Sequence, residues 1–106
     1  MTSEAIENTI KQVLIRHLDP GESFIFVFGS RAVAFPRPTA DYDIGIYQGR
    51  EIPLAVLARI ENELEEYPIP VDVDLVDFAM ATDEFKKLAL KRIKVWNHPK
   101  KDLRLI

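Results

Sequence analysis

The chain has 106 residues, a formal net charge of −3, 47% hydrophobic residues and no cysteine. This length fits one domain over residues 1–106, and the absence of cysteine excludes disulfides and thiolate metal sites. No apolar run approaches the roughly 20 residues of a membrane helix, and the first residues lack the basic-then-apolar pattern of a signal peptide. We therefore expect a cytoplasmic protein.

The basic residues are concentrated near the carboxyl terminus. Residues 86–106 hold eight of the fourteen Lys and Arg residues and only one acid, Asp102. Such a split can mark a docking site for an anion or an acidic partner. The solvated face of a last helix explains the same pattern equally well.

The first half of the chain predicts a helix and two strands. Ser3 is a suitable helix cap, apolar residues then recur at helical spacing, and the Asp19–Pro20 step ends the helix. Residues 23–28 predict a strand that is apolar on both faces and is therefore covered on both sides. After a loop or short helix, residues 43–47 predict the second strand.

The second half predicts a helix, a strand and a last helix. The first of these helices starts at Pro53 and ends before Pro68, and residues 71–78 predict the third strand. Thr82 is a suitable cap for the last helix, whose apolar stripe runs from Phe85 to Trp96. The order αββαβα predicts an α+β fold in which helices pack against a small mixed sheet.

Two aspartates one residue apart open the second strand. Asp41 and Asp43 project from the same face if this segment is extended, and they repel each other unless a cation lies between them. Mg²⁺ prefers a few carboxylates together with phosphate oxygens. Asp74 on the third strand is the candidate third ligand, although Asp72 shares its face. Asp77 lies on the other face and is a weaker candidate, and an Asp-x-Asp pair also occurs often by chance.

A Gly-Ser turn follows the first strand, eleven residues before the acidic pair. Gly29 permits a positive φ angle and close approach of a phosphate, and Ser30 offers a hydroxyl and an amide N–H. Arg31 either reaches a phosphate with its guanidinium or pairs with a nearby acid to hold the loop. The combination of this turn with the aspartates indicates phosphoryl or nucleotidyl transfer.

Together these motifs resemble the minimal nucleotidyltransferases of the DNA polymerase beta superfamily. The resemblance rests on the segments 29–32, 41–43 and 73–77 and covers nearly the whole chain. The chain departs from the usual pattern at 33–35, where such proteins carry a glycine, and at Ala40, where they often carry a serine. Neither position is a candidate ligand.

The resemblance implies a nucleotidyltransferase fold and a set of site residues. Gly29 and Ser30 would bind the triphosphate, and Asp41, Asp43 and Asp74 would hold two Mg²⁺ ions, with Asp74 also helping to activate an acceptor hydroxyl. Such proteins commonly act as antitoxins of small helical HEPN-type proteins, and some transfer AMP from ATP to a tyrosine of that partner.

Two other functions stay open from the sequence. One is a catalytically weak or inactive module that neutralises its partner by complex formation alone. The other is a transferase acting on RNA ends, which the basic carboxyl-terminal segment supports and which predicts salt-sensitive RNA binding. A domain this small has little surface for acceptor recognition, so we expect a hetero-oligomer or a homodimer.

Overall fold

A computed structural model of the protein describes residues 1–105. Over these residues a four-stranded mixed sheet is combined with three α-helices and one short 3₁₀ helix, which confirms the predicted α+β class. The elements in chain order are α1 (Ser3–His17), β1 (Phe24–Phe28), the 3₁₀ helix (Gly29–Ala32), β2 (Tyr42–Tyr47), α2 (Leu54–Leu64), β3 (Val73–Asp77), α3 (Asp83–Ala89) and β4 (Lys94–Asn97).

The strands are ordered β3-β2-β1-β4 across the sheet. β1 pairs antiparallel with both β2 and β4, whereas β2 and β3 are parallel. A parallel pair needs a crossover connection, and α2 supplies it. As a result, the first residues of β2 and β3 and the last residues of β1 lie at the same end of the sheet.

Both faces of the sheet are covered, as the apolar first strand predicts. Ile25 and Val27 of β1 point into a cluster with α1 and α2, in which Ile10 and Ile60 are fully buried. The alternate residues of β1 point the other way, into a smaller aromatic cluster of Phe26, Phe28 and Phe78 that α3 and its following turn cover.

The first helix begins one residue earlier than predicted. Its cap is Thr2 and not Ser3, since the Thr2 hydroxyl accepts a hydrogen bond from the Ala5 N–H at 3.1 Å. Adjacent hydroxyl residues are equally suited to this position by sequence, so only the backbone geometry distinguishes them.

The predicted last helix is wrong in its second half. α3 ends at Ala89, and Trp96 belongs to β4, a strand that the sequence analysis did not predict. β4 pairs with β1 through the Phe26–Val95 and Val27–Lys94 positions. Along this edge of β1 it supplies backbone hydrogen bonds that a helix would leave unmade. Trp96 packs on the α1 side of the sheet, its ring centroid 6.2 Å from that of Tyr42.

Within residues 1–105 no helix has the length and apolar character needed to cross a membrane.

Candidate active site

Two of the predicted ligands lie directly opposite each other in the sheet. Asp43 of β2 is the register partner of Asp74 of β3 in the parallel pair. Their side chains lie on the sheet face opposite α1 and α2, because the neighbouring Tyr42 and Val73 pack toward the helices. Asp43 is half-buried and Asp74 is exposed, so the pair opens to solvent.

Asp41 lies just before β2, beside the start of β3. Its Oδ1 accepts a hydrogen bond from the Asp72 N–H at 3.2 Å, and the Tyr42 N–H donates to the Asp72 carbonyl at 2.9 Å. These bonds tie the segment before β2 to the segment before β3. Asp72 thus helps to join the two strands through its backbone, whereas Asp74 is the acid that faces Asp43.

The three carboxylates repel one another at Asp43. Burial raises the pKa of Asp43, and the negative charges of Asp74 and Asp41 raise it further. A divalent cation would relieve this repulsion, and carboxylate oxygens are the ligands that Mg²⁺ prefers. These carboxylates are therefore suitable ligands for Mg²⁺. Within residues 1–105, however, no three His, Cys, Asp or Glu side chains already lie close enough together to hold a metal ion.

The predicted Gly-Ser turn lies against this acidic pair. Gly29 follows Phe28, which is the register partner of Asp43, and it has a φ angle of +70°. A Cβ atom added to Gly29 would lie 2.4 Å from Oδ2 of Asp43. Glycine is thus required twice, once for the backbone conformation and once for the space beside the carboxylate. Both Gly29 and Ser30 are exposed, so their backbone and the Ser30 hydroxyl are accessible to a ligand.

Arg31 is used inside the fold. Its side chain is only 3% exposed, and its Nε and Nη2 donate to the carbonyls of Ala40 and Pro38, both at 2.9 Å. The guanidinium also lies over the Tyr42 ring, 4.4 Å from the centroid. Of the two predicted roles, these contacts match the one that holds the loop, with carbonyls in place of an acid. Arg31 thereby fixes the segment that leads into Asp41.

A hollow of about 560 Å³ lies beside Ser30 and Asp41. The loop between them supplies its other walls, and Phe35 in that loop is 96% exposed. Arg37 and Thr39 also line the hollow, and the sequence motifs did not single them out. Their position between the Gly-Ser turn and the acidic pair is the signal that points to them.

Asp77 binds backbone amides away from the other aspartates, which agrees with its being the weaker candidate for a metal ligand. Its Oδ2 accepts from the Ile52 N–H at 2.8 Å and its Oδ1 from the Ala79 N–H at 3.1 Å. These bonds fix the two chain segments at the far end of β3, away from the edge that carries Asp43 and Asp74.

Known proteins are similar to this chain in sequence and in fold. The probable protein adenylyltransferase MntA of Haemophilus influenzae is 25% identical over 85 residues, covering 80% of this chain and 74% of that protein. A chain in the structure of the tri-AMPylated Shewanella oneidensis HEPN toxin in complex with MNT antitoxin superposes with a TM-score of 0.66 at 22% identity, covering 90% of this chain and 72% of that one. A structure of a toxin–antitoxin with AMP-PNP gives a TM-score of 0.68 at 24% identity, covering 87% and 73%.

The two structural matches show that this chain has the same fold as those proteins. A family model described as polymerase beta nucleotidyltransferase matches residues 8–100, which is most of the chain. That match includes the Gly-Ser turn and all three candidate aspartates. The chain therefore belongs to the polymerase beta nucleotidyltransferase family.

Proposed function

We propose that this protein transfers AMP from ATP to a hydroxyl group of a protein partner in a Mg²⁺-dependent reaction. The observation that carries the proposal is the contact between the Gly-Ser turn and the acidic pair. Gly29 leaves no room for a side chain between its backbone and the Asp43 carboxylate, and Asp74 faces Asp43 across the parallel strands. A phosphate chain on the turn would thus lie next to the carboxylates.

The reaction exchanges one bond to phosphorus for another. The acceptor oxygen forms a bond to the α-phosphorus of ATP, the bond from that phosphorus to the β-phosphate oxygen breaks, and pyrophosphate leaves. Two Mg²⁺ ions, when bound, would neutralise the charge that develops on the phosphate oxygens. Asp41, Asp43 and Asp74 are the residues that would hold them.

The remaining roles fall to groups of the chain itself. Asp74, which is exposed, is accessible to an acceptor hydroxyl and would orient it or accept its proton. Gly29 and Ser30 would bind the triphosphate through the backbone and the Ser30 hydroxyl. Arg31 would contribute indirectly, because it fixes the loop that ends at Asp41. Sites of this kind work mainly through positioning and charge stabilisation.

For the acceptor we propose a small helical HEPN-type protein. The support is that the relative in Haemophilus influenzae is named as a protein adenylyltransferase and that one structure with the same fold contains an AMPylated HEPN toxin with its MNT antitoxin. The exposed walls of the hollow beside Asp41 offer a surface that such a partner would contact.

The test is transfer of label to a partner. The protein is purified with a HEPN-type protein encoded beside it and incubated with Mg²⁺ and each α-labelled nucleoside triphosphate. We expect label on the partner with ATP, its loss in Asp43→Asn, and its retention in Asp102→Asn, which removes an exposed carboxylate outside the site.

Other outcomes would favour the other functions. A stable complex that stays unlabelled with every nucleotide would contradict transfer and support an antitoxin that acts by binding alone. Label on RNA ends, with no label on protein, would replace the protein acceptor by RNA. Full activity of Asp43→Asn would refute the assignment of the metal ligands.

A further inference from the structure

Gly29 also lines a second pocket. It has a volume of about 270 Å³ and lies between the end of β1 and α3. Its walls are apolar except for two cationic side chains, and no acidic residue lines it. The lining residues are Phe28, Gly29, Phe85, Leu88, Ala89, Lys91 and Arg92.

The two cationic residues lie in the short turn between α3 and β4. The backbone of this turn is fixed, because the Leu90 N–H donates to the Lys86 carbonyl at 2.9 Å. Leu90 and Ile93 on either side of the cations pack against the aromatic cluster under the sheet. Lys91 and Arg92 are therefore held at the pocket by half-buried neighbours, while both remain exposed themselves.

Neither cation is engaged by an acid of the fold. Within residues 1–105 the salt bridges are formed by Arg16, His17, Arg50 and Lys101, and none involves Lys91 or Arg92. Lys101 of the same basic segment is paired with Glu22 at 2.6 Å, so that part of the segment is already neutralised. The pocket thus combines accessible positive charge with a glycine backbone.

Gly29 contributes to two regions of opposite charge. Its backbone lies close to the Asp43 carboxylate, and it also lines the pocket that contains Lys91 and Arg92. A bound polyphosphate has one end at the reacting phosphorus and carries most of its charge at the other end. The charges that meet at Gly29 suit such a ligand, since the candidate metal-binding acids would serve the reacting phosphorus and the cations the terminal phosphates.

We propose that Lys91 and Arg92 bind the terminal phosphates of the nucleoside triphosphate in this pocket beside Gly29. This inference rests on the proposed function and identifies what makes the site select a triphosphate over a monophosphate. Arg92 offers a planar fork of donors to phosphate oxygens, and Lys91 offers a compact charge. After transfer the same residues would hold the pyrophosphate that leaves.

The test compares nucleotides that differ only in their phosphates. Dissociation constants for ATP, ADP and AMP in Mg²⁺ are measured by calorimetry on the full chain, for the wild type and for Lys91→Met/Arg92→Met. The matched control is Lys87→Met/Lys94→Met, which removes the same charge from exposed residues that do not line the pocket. Thermal denaturation of each variant checks that the fold is retained.

We expect the pocket variant to bind ATP about tenfold to a hundredfold more weakly, because it loses two charge-assisted contacts. Its affinity for AMP should change by less than about twofold, since AMP has no terminal phosphates and long-range attraction is screened. The control should bind ATP within about twofold of the wild type, because its lost charges are exposed to solvent, do not line the pocket and are screened.

Two results would overturn the inference. One is an equal loss of ATP and AMP affinity in the pocket variant, and the other is a loss that the control reproduces. If the wild type itself fails to bind ATP, the proposed function fails and this inference falls with it. If the wild type binds ATP and Asp43→Asn weakens metal-dependent binding while the pocket variant does not, only the present inference is refuted.

Discussion

Replacing Gly29 by alanine should reduce transfer about a hundredfold with only a moderate loss of stability. Gly29 has a φ angle of +70°, a conformation that costs an L-residue about 1–2 kcal/mol. The added Cβ would also lie 2.4 Å from Oδ2 of Asp43. That oxygen is the end of a flexible side chain and can rotate away, so the contact adds little to the cost in stability. The rotation does, however, move a proposed metal ligand.

Gly49 provides a matched control. Its φ angle is +77°, and a Cβ added there would meet nothing closer than Cδ2 of Leu103 at 3.4 Å. Gly29→Ala and Gly49→Ala should therefore each lower the free energy of unfolding by about 1–2 kcal/mol. For a domain of this size each kcal/mol corresponds to a fall of about 4–8 °C in Tm.

Only Gly29→Ala should lose activity, by about a hundredfold, because displacement of a catalytic group by about 1 Å has an effect of that order. Urea denaturation measures the stability of both variants, and transfer of label to the partner measures their activity. If both variants transfer label as well as the wild type, Gly29 has no role in positioning Asp43. An equally large loss in Gly49→Ala would show that reduced stability is the cause.

Three further predictions concern other parts of the structure. Without Mg²⁺, Asp43→Asn should be more stable than the wild type at neutral pH, because the raised pKa of Asp43 means that its ionisation disfavours the folded state. The difference should vanish below the ordinary pKa of aspartate, grow as the pH rises from that pKa to the raised one, and stay constant above it, as denaturation at several pH values would show. Arg31→Lys should lower the free energy of unfolding by about 1–3 kcal/mol, since one ammonium group cannot replace both bonds to the loop carbonyls. The backbone amides of β4 that point toward β1 should exchange hydrogen more slowly than the amide of Lys91 in the preceding turn, as measured by NMR.

Each of these predictions has a clear contrary result. Equal stability of Asp43→Asn and the wild type across the pH range would show that the carboxylates do not repel in the folded protein. If Arg31→Lys keeps its stability but loses affinity for ATP, Arg31 is a phosphate ligand and not a loop anchor. Fast exchange at every amide of β4 would mean that β4 is not a stable member of the sheet.

The elements that carry the site were predictable from the sequence. The apolar run before Gly29, the alternation around Asp74 and the helical spacing between them are local patterns, and each formed the element that it predicted. The pairing of Asp43 with Asp74 followed from placing both on strands, although the sequence alone left Asp72 as an alternative. Backbone register distinguishes the two acids, and register is not encoded in local periodicity.

The carboxyl-terminal part was less predictable because its structure depends on distant partners. Phe85, Leu88 and Trp96 have helical spacing, yet Trp96 lies in a four-residue strand that pairs with β1. Strand formation here depends on the free edge of β1, some seventy residues earlier in the chain. The role of Arg31 was hidden for a similar reason, since its acceptors are backbone carbonyls and no side-chain pattern marks them.

The parallel register of β2 and β3 also determines which changes the gene can tolerate. The separation of Asp43 and Asp74 is set by backbone pairing, so the connections before and after α2 can vary in length without changing it. A single residue inserted within β3 before Asp74 would instead turn this carboxylate to the opposite face, toward the buried side chains under α1 and α2. Evolution of this site should therefore proceed by loop insertions and surface substitutions, while the two strands keep their length.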